Sequence, residues 1–167
     1  MQNLGILLID MQENFFLDES SFFDKREKKK LIDTQIRFLN IAKRKQIPIF
    51  ALEYKGRGET IPELQGILKD SGNYFIQKDR PNGFHNNPTL ISLLERWKIK
   101  NLILTGVYSN VCIRETAEGA KKEGFNVFTS QELMDKSYDC YTRWYKENTD
   151  YSQKLDELLV KISNPNL

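Results

Sequence analysis

Histidine is nearly absent from this chain of 167 residues, which contains only one, His85. Hydrolytic zinc sites usually take two or three imidazole ligands from one chain. A single histidine therefore excludes those zinc arrangements, and other side chains must carry any chemistry.

Cysteine is scarce and long apolar runs are missing. Cys112 and Cys140 have unrelated surroundings and form no disulfide framework, which fits a reducing compartment. The longest aliphatic runs, residues 6–9 and 102–104, fall far short of the roughly 20 apolar residues of a membrane span. The opening Met-Gln-Asn lacks the basic start of a secretory signal. We therefore expect a cytoplasmic protein that does not enter a membrane.

Charge of one sign is not in large excess either. The formal net charge is +2, which argues against an electrostatic nucleic-acid binder. One basic cluster occupies residues 25–30, but Glu27 interrupts it and it opens a helical pattern. We interpret this cluster as the solvated face of a helix.

The sequence does contain an alternation of short apolar segments and amphipathic patterns. The predicted strands are residues 3–10, 48–54, 73–78, 101–105 and 126–129. The predicted helices are residues 24–45, with Asp24 as N-cap, and residues 61–69, 88–97 and 111–123. Such alternation indicates a mostly parallel sheet with helices on both faces. We expect one domain over residues 1–167, with a C-terminal helical segment from about residue 138 and no evident strand after residue 135.

Three reactive side chains fall at the carboxyl ends of predicted strands, where open α/β sheets bind ligands. Asp10 ends the first strand, Lys78 ends the third, and Cys112 begins the helix after the fourth. They provide a base, a charge partner and a nucleophile, and both a lysine and a helix N-terminus would stabilise a thiolate. Each also has an ordinary interpretation, as a turn carboxylate, a solvated lysine and a core cysteine. Position alone leaves both interpretations open.

Three ordered motifs resemble those of the isochorismatase-like cysteine hydrolases. They read LLIDMQENF at residues 7–15, IQKDRPNGF at residues 76–84 and LTGVYSNVCIRETA at residues 104–117. The last is the most specific, because it is similar to the family's nucleophile segment. The resemblance extends from residue 4 to about residue 130.

The resemblance implies a three-layer α/β/α sandwich with a Rossmann-like sheet of five to six strands. It also implies a catalytic triad of Asp10, Lys78 and Cys112. Family members place a non-proline cis peptide before the cysteine, which here maps to the bond between Val107 and Tyr108. We therefore expect an oxyanion hole formed by the backbone N–H groups of Tyr108 and Cys112.

Two departures from the family pattern narrow the expected activity. Nicotinamidases carry an Asp-x-His set of metal ligands after the second strand, whereas residues 53–60 here read EYKGRGET, without histidine. We therefore expect no metal, no cofactor and no nicotinamidase activity. Isochorismatases proper cleave a vinyl ether without a cysteine nucleophile, so Cys112 favours the amidohydrolase branch.

Aromatic residues near the motifs are candidates for the substrate pocket. We assign Phe15, Tyr108 and Phe84 to substrate binding, with a core position as the alternative for Phe84. The loop at residues 55–60 either closes over the site, bringing Glu53 or Arg57 to the substrate, or is an ordinary surface turn.

The expected function is hydrolysis of a C–N bond in a small amide, ureido or carbamoyl substrate through a thioester on Cys112. The resemblance suggests a homo-oligomer, a dimer or larger. Two alternatives remain: a non-catalytic oligomeric module that binds a small molecule, and a hydrolase of an ester or ether.

Overall fold

A six-stranded parallel sheet forms the centre of the molecule. In this computed structural model, residues 3–17, 24–69, 73–135 and 139–163 are described. The strands are β1 (Leu4–Ile9), β2 (Ile49–Tyr54), β3 (Tyr74–Lys78), β4 (Asn101–Gly106), β5 (Asn126–Ser130) and β6 (Asp150–Ser152). Their order is β3-β2-β1-β4-β5-β6, and every neighbouring pair is parallel.

Helices connect the strands and cover both faces of the sheet. They are α1 (Glu13–Leu17), α2 (Lys25–Arg44), α3 (Pro62–Lys69), α4 (Pro88–Arg96), α5 (Arg114–Lys122), α6 (Asp139–Asn148) and α7 (Leu155–Ile162). The carboxylate of Asp24 caps α2 by accepting the Glu27 N–H at 2.8 Å, as the sequence predicts. None of the helices among the described residues has the length and apolar content needed to cross a membrane.

The alternation of side chains along β1 separates two apolar clusters. Ile6 and Leu8 belong to a cluster with buried residues of α2, α3 and α7. Leu7 and Ile9 belong to a second cluster with residues of α4, α5 and α6. Since neighbouring residues of a strand point to opposite faces, the two clusters are the two layers of helix packing. The predicted three-layer α/β/α architecture is confirmed.

The C-terminal part of the chain answers a question that the sequence left open. No strand is evident in the sequence after residue 135, and the structure shows that β6 pairs with β5 in parallel register and adds the sixth strand of the five to six expected. It has only three residues, Asp-Tyr-Ser, and lies at the edge of the sheet. A strand so short and polar has no apolar run by which a sequence pattern could reveal it.

The strand order reverses beside β1, and this determines where a ligand can bind. The chain proceeds from β1 to β2 and β3 on one side, then crosses to β4 on the other. The gap between the carboxyl ends of β1 and β4 is therefore the topological switch point of the sheet. The segments that follow these two strands carry Asp10 and Cys112.

Candidate active site

Asp10 lies at the end of β1 in a completely buried position. Its side chain has no solvent exposure, and its N–H donates to the Leu52 carbonyl at 3.0 Å. Its φ of 56° is in the left-handed region, which is uncommon for a residue other than glycine. Such backbone strain is typical of functional sites.

Lys78 forms a buried ion pair with Asp10. Its Nζ lies 3.0 Å from Oδ2 of Asp10, and the lysine side chain is 1% exposed. The same ammonium donates to the carbonyls of Arg80 and Pro81 at 3.3 Å and lies 4.6 Å from the centre of the Tyr54 ring. These partners compensate for the water that the charge has lost. The structure thus places two of the predicted site residues in direct contact.

Cys112 lies against this pair in the turn after β4. The turn Ser109–Ile113 is π-helical and continues directly into α5, with the N–H groups of Val111 and Ile113 both donating to the Tyr108 carbonyl. Cys112 is 6% exposed and interacts with the side chains of both Asp10 and Lys78. The structure therefore brings all three predicted residues together.

Burial outweighs the effect of lysine on the ionisation of the thiol. Burial and the nearby Asp10 carboxylate raise the pKa of the Cys112 thiol far above its ordinary value. Lys78 lowers this pKa, in the direction that the sequence predicts, but offsets the effect of burial only in part. The pKa of Asp10 is also raised, chiefly by burial, against the opposing effects of Lys78 and Cys112.

One oxygen of Asp10 is left without a hydrogen bond. Oδ2 accepts from Lys78, whereas Oδ1 is buried and has no hydrogen-bond partner among the described residues. Buried polar atoms in this condition are rare in native proteins. An unused carboxylate lone pair beside a protonated thiol can accept the proton of that thiol.

The turn before Cys112 differs from the expected cis geometry. Every peptide bond among the described residues is trans, including the bond between Val107 and Tyr108. Tyr108 instead has a φ of 61°, and the Asp135 carboxylate accepts the Ser109 N–H at 2.7 Å and interacts with the Tyr108 N–H. The predicted Tyr108 donor lies beside the Asp135 carboxylate, and its part in an oxyanion hole stays a prediction. The Cys112 N–H stays a predicted donor.

The side chains of Thr116 and Tyr145 connect the segment around Cys112 to neighbouring parts of the fold by hydrogen bonds. Thr116 on α5 accepts the Gly83 N–H at 3.0 Å and donates to the Pro81 carbonyl at 3.2 Å, the carbonyl that also accepts from Lys78. Tyr145 on α6 donates its hydroxyl to the Ser109 carbonyl at 2.5 Å and has no exposure. Hydrogen bonds thus join the loop after Lys78 to α5, and the turn that contains Cys112 to α6.

The predicted aromatic residues divide into two groups. Phe15 and Tyr108 meet edge to face, with ring centres 4.9 Å apart, and the Arg57 guanidinium lies 5.6 Å from the centre of the Phe15 ring. Phe84 packs against Phe125 at 5.7 Å and is buried in the same apolar cluster as Cys112. The core alternative for Phe84 therefore accounts for its contacts, and its substrate role stays a prediction.

Glu53, near the end of β2, accepts hydrogen bonds from other side chains and from the backbone. Oε1 of Glu53 accepts from the N–H and the hydroxyl of Thr60, and Oε2 accepts from Gln77. Within the part of the chain that the structure describes, no group of three or more His, Cys, Asp or Glu residues could hold a metal ion.

Sequence reasoning missed several contributors to the site. Asp135 follows β5 outside every motif, and only its place after a strand could have pointed to it. Gln12 belongs to the first motif but was given no role, although its side chain bonds the backbone at Tyr54 and Gly58. Tyr54, under the Lys78 ammonium, ends β2, and the same strand-end rule applies to it.

Comparison with known enzymes gives a partial match in sequence. Three ureidoacrylate amidohydrolases from strains of Methylorubrum extorquens are each 32% identical to this chain over 65 residues. The match covers 38% of this chain and 26% of each enzyme, so the chain matches about a quarter of their length.

Comparison with solved structures gives a match over nearly the whole fold. A nicotinamidase from Staphylococcus aureus is 22% identical, with a TM-score of 0.78 over 92% of this chain and 100% of that enzyme. An N-carbamoylsarcosine amidase from Thermoplasma acidophilum is 16% identical, with a TM-score of 0.76 over 90% and 94%. At these identities the structures establish the α/β fold.

The family assignment depends on a longer sequence match. Residues 5–143 match the isochorismatase domain, which is most of the chain and includes all three motifs. The chain therefore belongs to the isochorismatase family of hydrolases.

Proposed function

We propose that this protein is a metal-independent cysteine hydrolase that cleaves the C–N bond of a small amide, ureido or carbamoyl compound. The observation that carries the proposal is the buried Lys78–Asp10 pair, 3.0 Å between Nζ and Oδ2, with the Cys112 thiol against the same carboxyl group. A nucleophile, a base and a charge partner in one water-poor site are the parts that covalent acyl transfer needs.

In the first half of the proposed reaction, Oδ1 of Asp10 takes the thiol proton while Sγ of Cys112 attacks the carbonyl carbon. The free lone pairs of Oδ1 make it the acceptor. The negative charge moves to the carbonyl oxygen, and the proposed donor that stabilises it is the Cys112 N–H. The C–N bond then breaks, Asp10 returns the proton to the departing nitrogen, and a thioester remains on Cys112.

In the second half, Asp10 accepts a proton from a water molecule that attacks the thioester carbonyl. The C–S bond breaks, the acid is released, and the proton returns to the sulfur. Lys78 favours the ionised form of Asp10 at the start of each half of the reaction, because a cation at 3.0 Å opposes the effect of burial on the pKa of that carboxyl. The cycle restores the resting site.

The choice of a C–N bond is supported by the names of the relatives. This chain resembles ureidoacrylate amidohydrolases in sequence and N-carbamoylsarcosine amidase in structure. The choice of a metal-free site is supported by Glu53, whose two oxygens are already occupied by protein donors at 2.8–2.9 Å.

The test is ammonia release from a panel of small amides, ureides and carbamoyl compounds in buffer containing a chelator. We expect the wild type and Cys140→Ala to release ammonia from the same compound, and Cys112→Ala to lose at least about 10³-fold in kcat/KM, because removal of a nucleophile abolishes the covalent route.

Two results would contradict the proposal. If no compound released ammonia while an ester series released acid, C–N cleavage would be wrong. If Cys112→Ala retained full activity, the thioester route would be wrong.

A further inference from the structure

An arginine lies at the rim of the candidate site on a loop that is tied to the catalytic segment. Arg57 lies between Gly56 and Gly58, whose φ values of 77° and 79° form a tight turn after β2. Its guanidinium lies 5.6 Å from the centre of the Phe15 ring, and Phe15 contacts Tyr108. Tyr108 begins the turn that carries Cys112, so a continuous chain of contacts leads from Arg57 to that turn.

The backbone of the loop around Arg57 is held by the segment after β1, which also contains Asp10. The Gln12 side chain donates to the carbonyls of Tyr54 at 3.0 Å and Gly58 at 2.6 Å, on either side of Arg57. The Asn14 N–H donates to the carbonyl of Arg57 itself at 3.3 Å. Gln12 follows Asp10 by two residues, so the loop and the base share one backbone segment.

Arg57 has no protein partner for its charge among the described residues, where neither a carboxylate nor a carbonyl accepts from its guanidinium. Lys78, the other cation at the site, is bound to Asp10. The charges of Arg57, Asp10 and Cys112 each act on the Tyr108 hydroxyl, which places each of these three groups within electrostatic range of that hydroxyl.

We infer that Arg57 binds a carboxylate on the substrate, so that the enzyme prefers amides or carbamoyl compounds that also carry an anionic group. The inference extends the proposed function to a substrate class. A guanidinium presents a planar fork of N–H donors that matches a carboxylate. Its contact with the Phe15 ring limits the orientations of that fork and reduces the entropy lost on binding.

A thiol probe tests the inference without any substrate. Iodoacetate and iodoacetamide alkylate the same sulfur and differ in that only iodoacetate carries a carboxylate. The measured quantity is the ratio of their rates at Cys112, in a Cys140→Ser background that leaves one thiol in the chain. Glutathione supplies the ratio for an unassisted thiol.

We expect the ratio of the iodoacetate rate to the iodoacetamide rate to be higher for the protein than for glutathione. Arg57→Gln should reduce that ratio about tenfold, which corresponds to about 1.4 kcal/mol, because it removes a charged hydrogen-bond donor to the carboxylate. Lys55→Gln is the matched control: it removes the same charge from the same loop at an exposed residue. Arg57 is exposed as well, and the two residues differ in that the Arg57 guanidinium lies over the Phe15 ring, which contacts Tyr108. Lys55→Gln should therefore change the ratio less than about twofold.

An unchanged ratio in Arg57→Gln, or an equal loss in Lys55→Gln, would overturn the inference. This alkylation test can fail independently of the ammonia-release test of the proposed function, because alkylation requires no turnover. If the panel yields a substrate pair that differs by one carboxylate, Arg57→Gln should raise KM for the acid about tenfold and leave KM for the neutral compound unchanged. An equal effect on both compounds would also count against it.

Discussion

At the scale of single residues, the partners of Cys112 affect its ionisation in opposite directions. Asp10 raises the pKa of the thiol and Lys78 lowers it. We therefore predict that Asp10→Asn lowers this pKa and that Lys78→Met raises it further, while both variants lose most turnover. The pH dependence of iodoacetamide alkylation in a Cys140→Ser background measures both shifts. Shifts of the same sign in the two variants would contradict the assigned charges.

Asp135 gives a second prediction at this scale. Loss of solvent raises the pKa of its carboxyl from 3.8 to about 6, against the opposing effect of the Ser109 and Tyr108 N–H groups. Between about pH 4 and 6 the native protein holds a proton that the unfolded chain has released, so this carboxyl contributes less stability as pH rises through that window. Asp135→Asn removes the titration.

The free energy of unfolding of Asp135→Asn, measured with urea, should therefore rise relative to the wild type from pH 4 to pH 7. A constant difference between the two proteins across this range would show that Asp135 does not titrate there.

At the scale of secondary structure, the approach of β4 to β1 depends on one glycine. Gly106 has a φ of 132°, and a Cβ at this residue would lie 2.0 Å from the Ile9 carbonyl oxygen. We predict that Gly106→Ala destabilises the protein by about 4 kcal/mol or more, because neither backbone can move without breaking the sheet. Thermal or urea unfolding measures the loss.

Gly66 is the matched control for this substitution. It lies on α3, no other group lies within 4 Å of the place that an alanine methyl would occupy, and its φ is ordinary for a helix. Gly66→Ala should stabilise by about 0.5–1 kcal/mol, because alanine has the higher helix propensity. Equal effects at the two glycines would contradict the steric argument.

The helix starts were predictable from the sequence, whereas the turn at Tyr108 was not. Asp24 and Pro88 mark the starts of α2 and α4 as predicted, because capping chemistry is local. The trans turn at Tyr108 was not predicted, because it depends on Asp135, which is 27 residues further along the chain and belongs to no motif. A local motif can point to Cys112 as the predicted nucleophile but not to the distant carboxylate that accepts the Ser109 N–H in the same turn.

At the scale of the whole molecule, the C-terminal part of the chain makes a hydrogen bond to the turn that contains Cys112. Tyr145 lies just beyond residues 5–143, which match the family, yet its hydroxyl bonds the Ser109 carbonyl in the turn that holds Cys112. We predict that Tyr145→Phe lowers the free energy of unfolding by about 1–3 kcal/mol, the usual effect of leaving a buried acceptor unpaired, and also lowers kcat.

Tyr151→Phe serves as the control for Tyr145. Its hydroxyl bonds Gln131 in a partly exposed position, where water can replace the lost partner. A smaller loss of stability and an unchanged kcat are expected there. Equal effects of the two substitutions on kcat would show that the contact with Ser109 has no part in turnover. Oligomeric assembly and a cytoplasmic location stay predictions at this scale.

The placement of Lys78 at the end of an edge strand has a consequence for how the enzyme would lose activity. β3 is bonded to the sheet only through β2, and its Phe75 side chain is 42% exposed. An outer strand frays at a lower free energy than the sheet centre, where β1 and β4 hold Asp10 and the Cys112 turn. Mild denaturant would therefore separate the Lys78 ammonium from Asp10 first, and inactivation would precede melting, with deuterium uptake in β3 earlier than in β1 and β4.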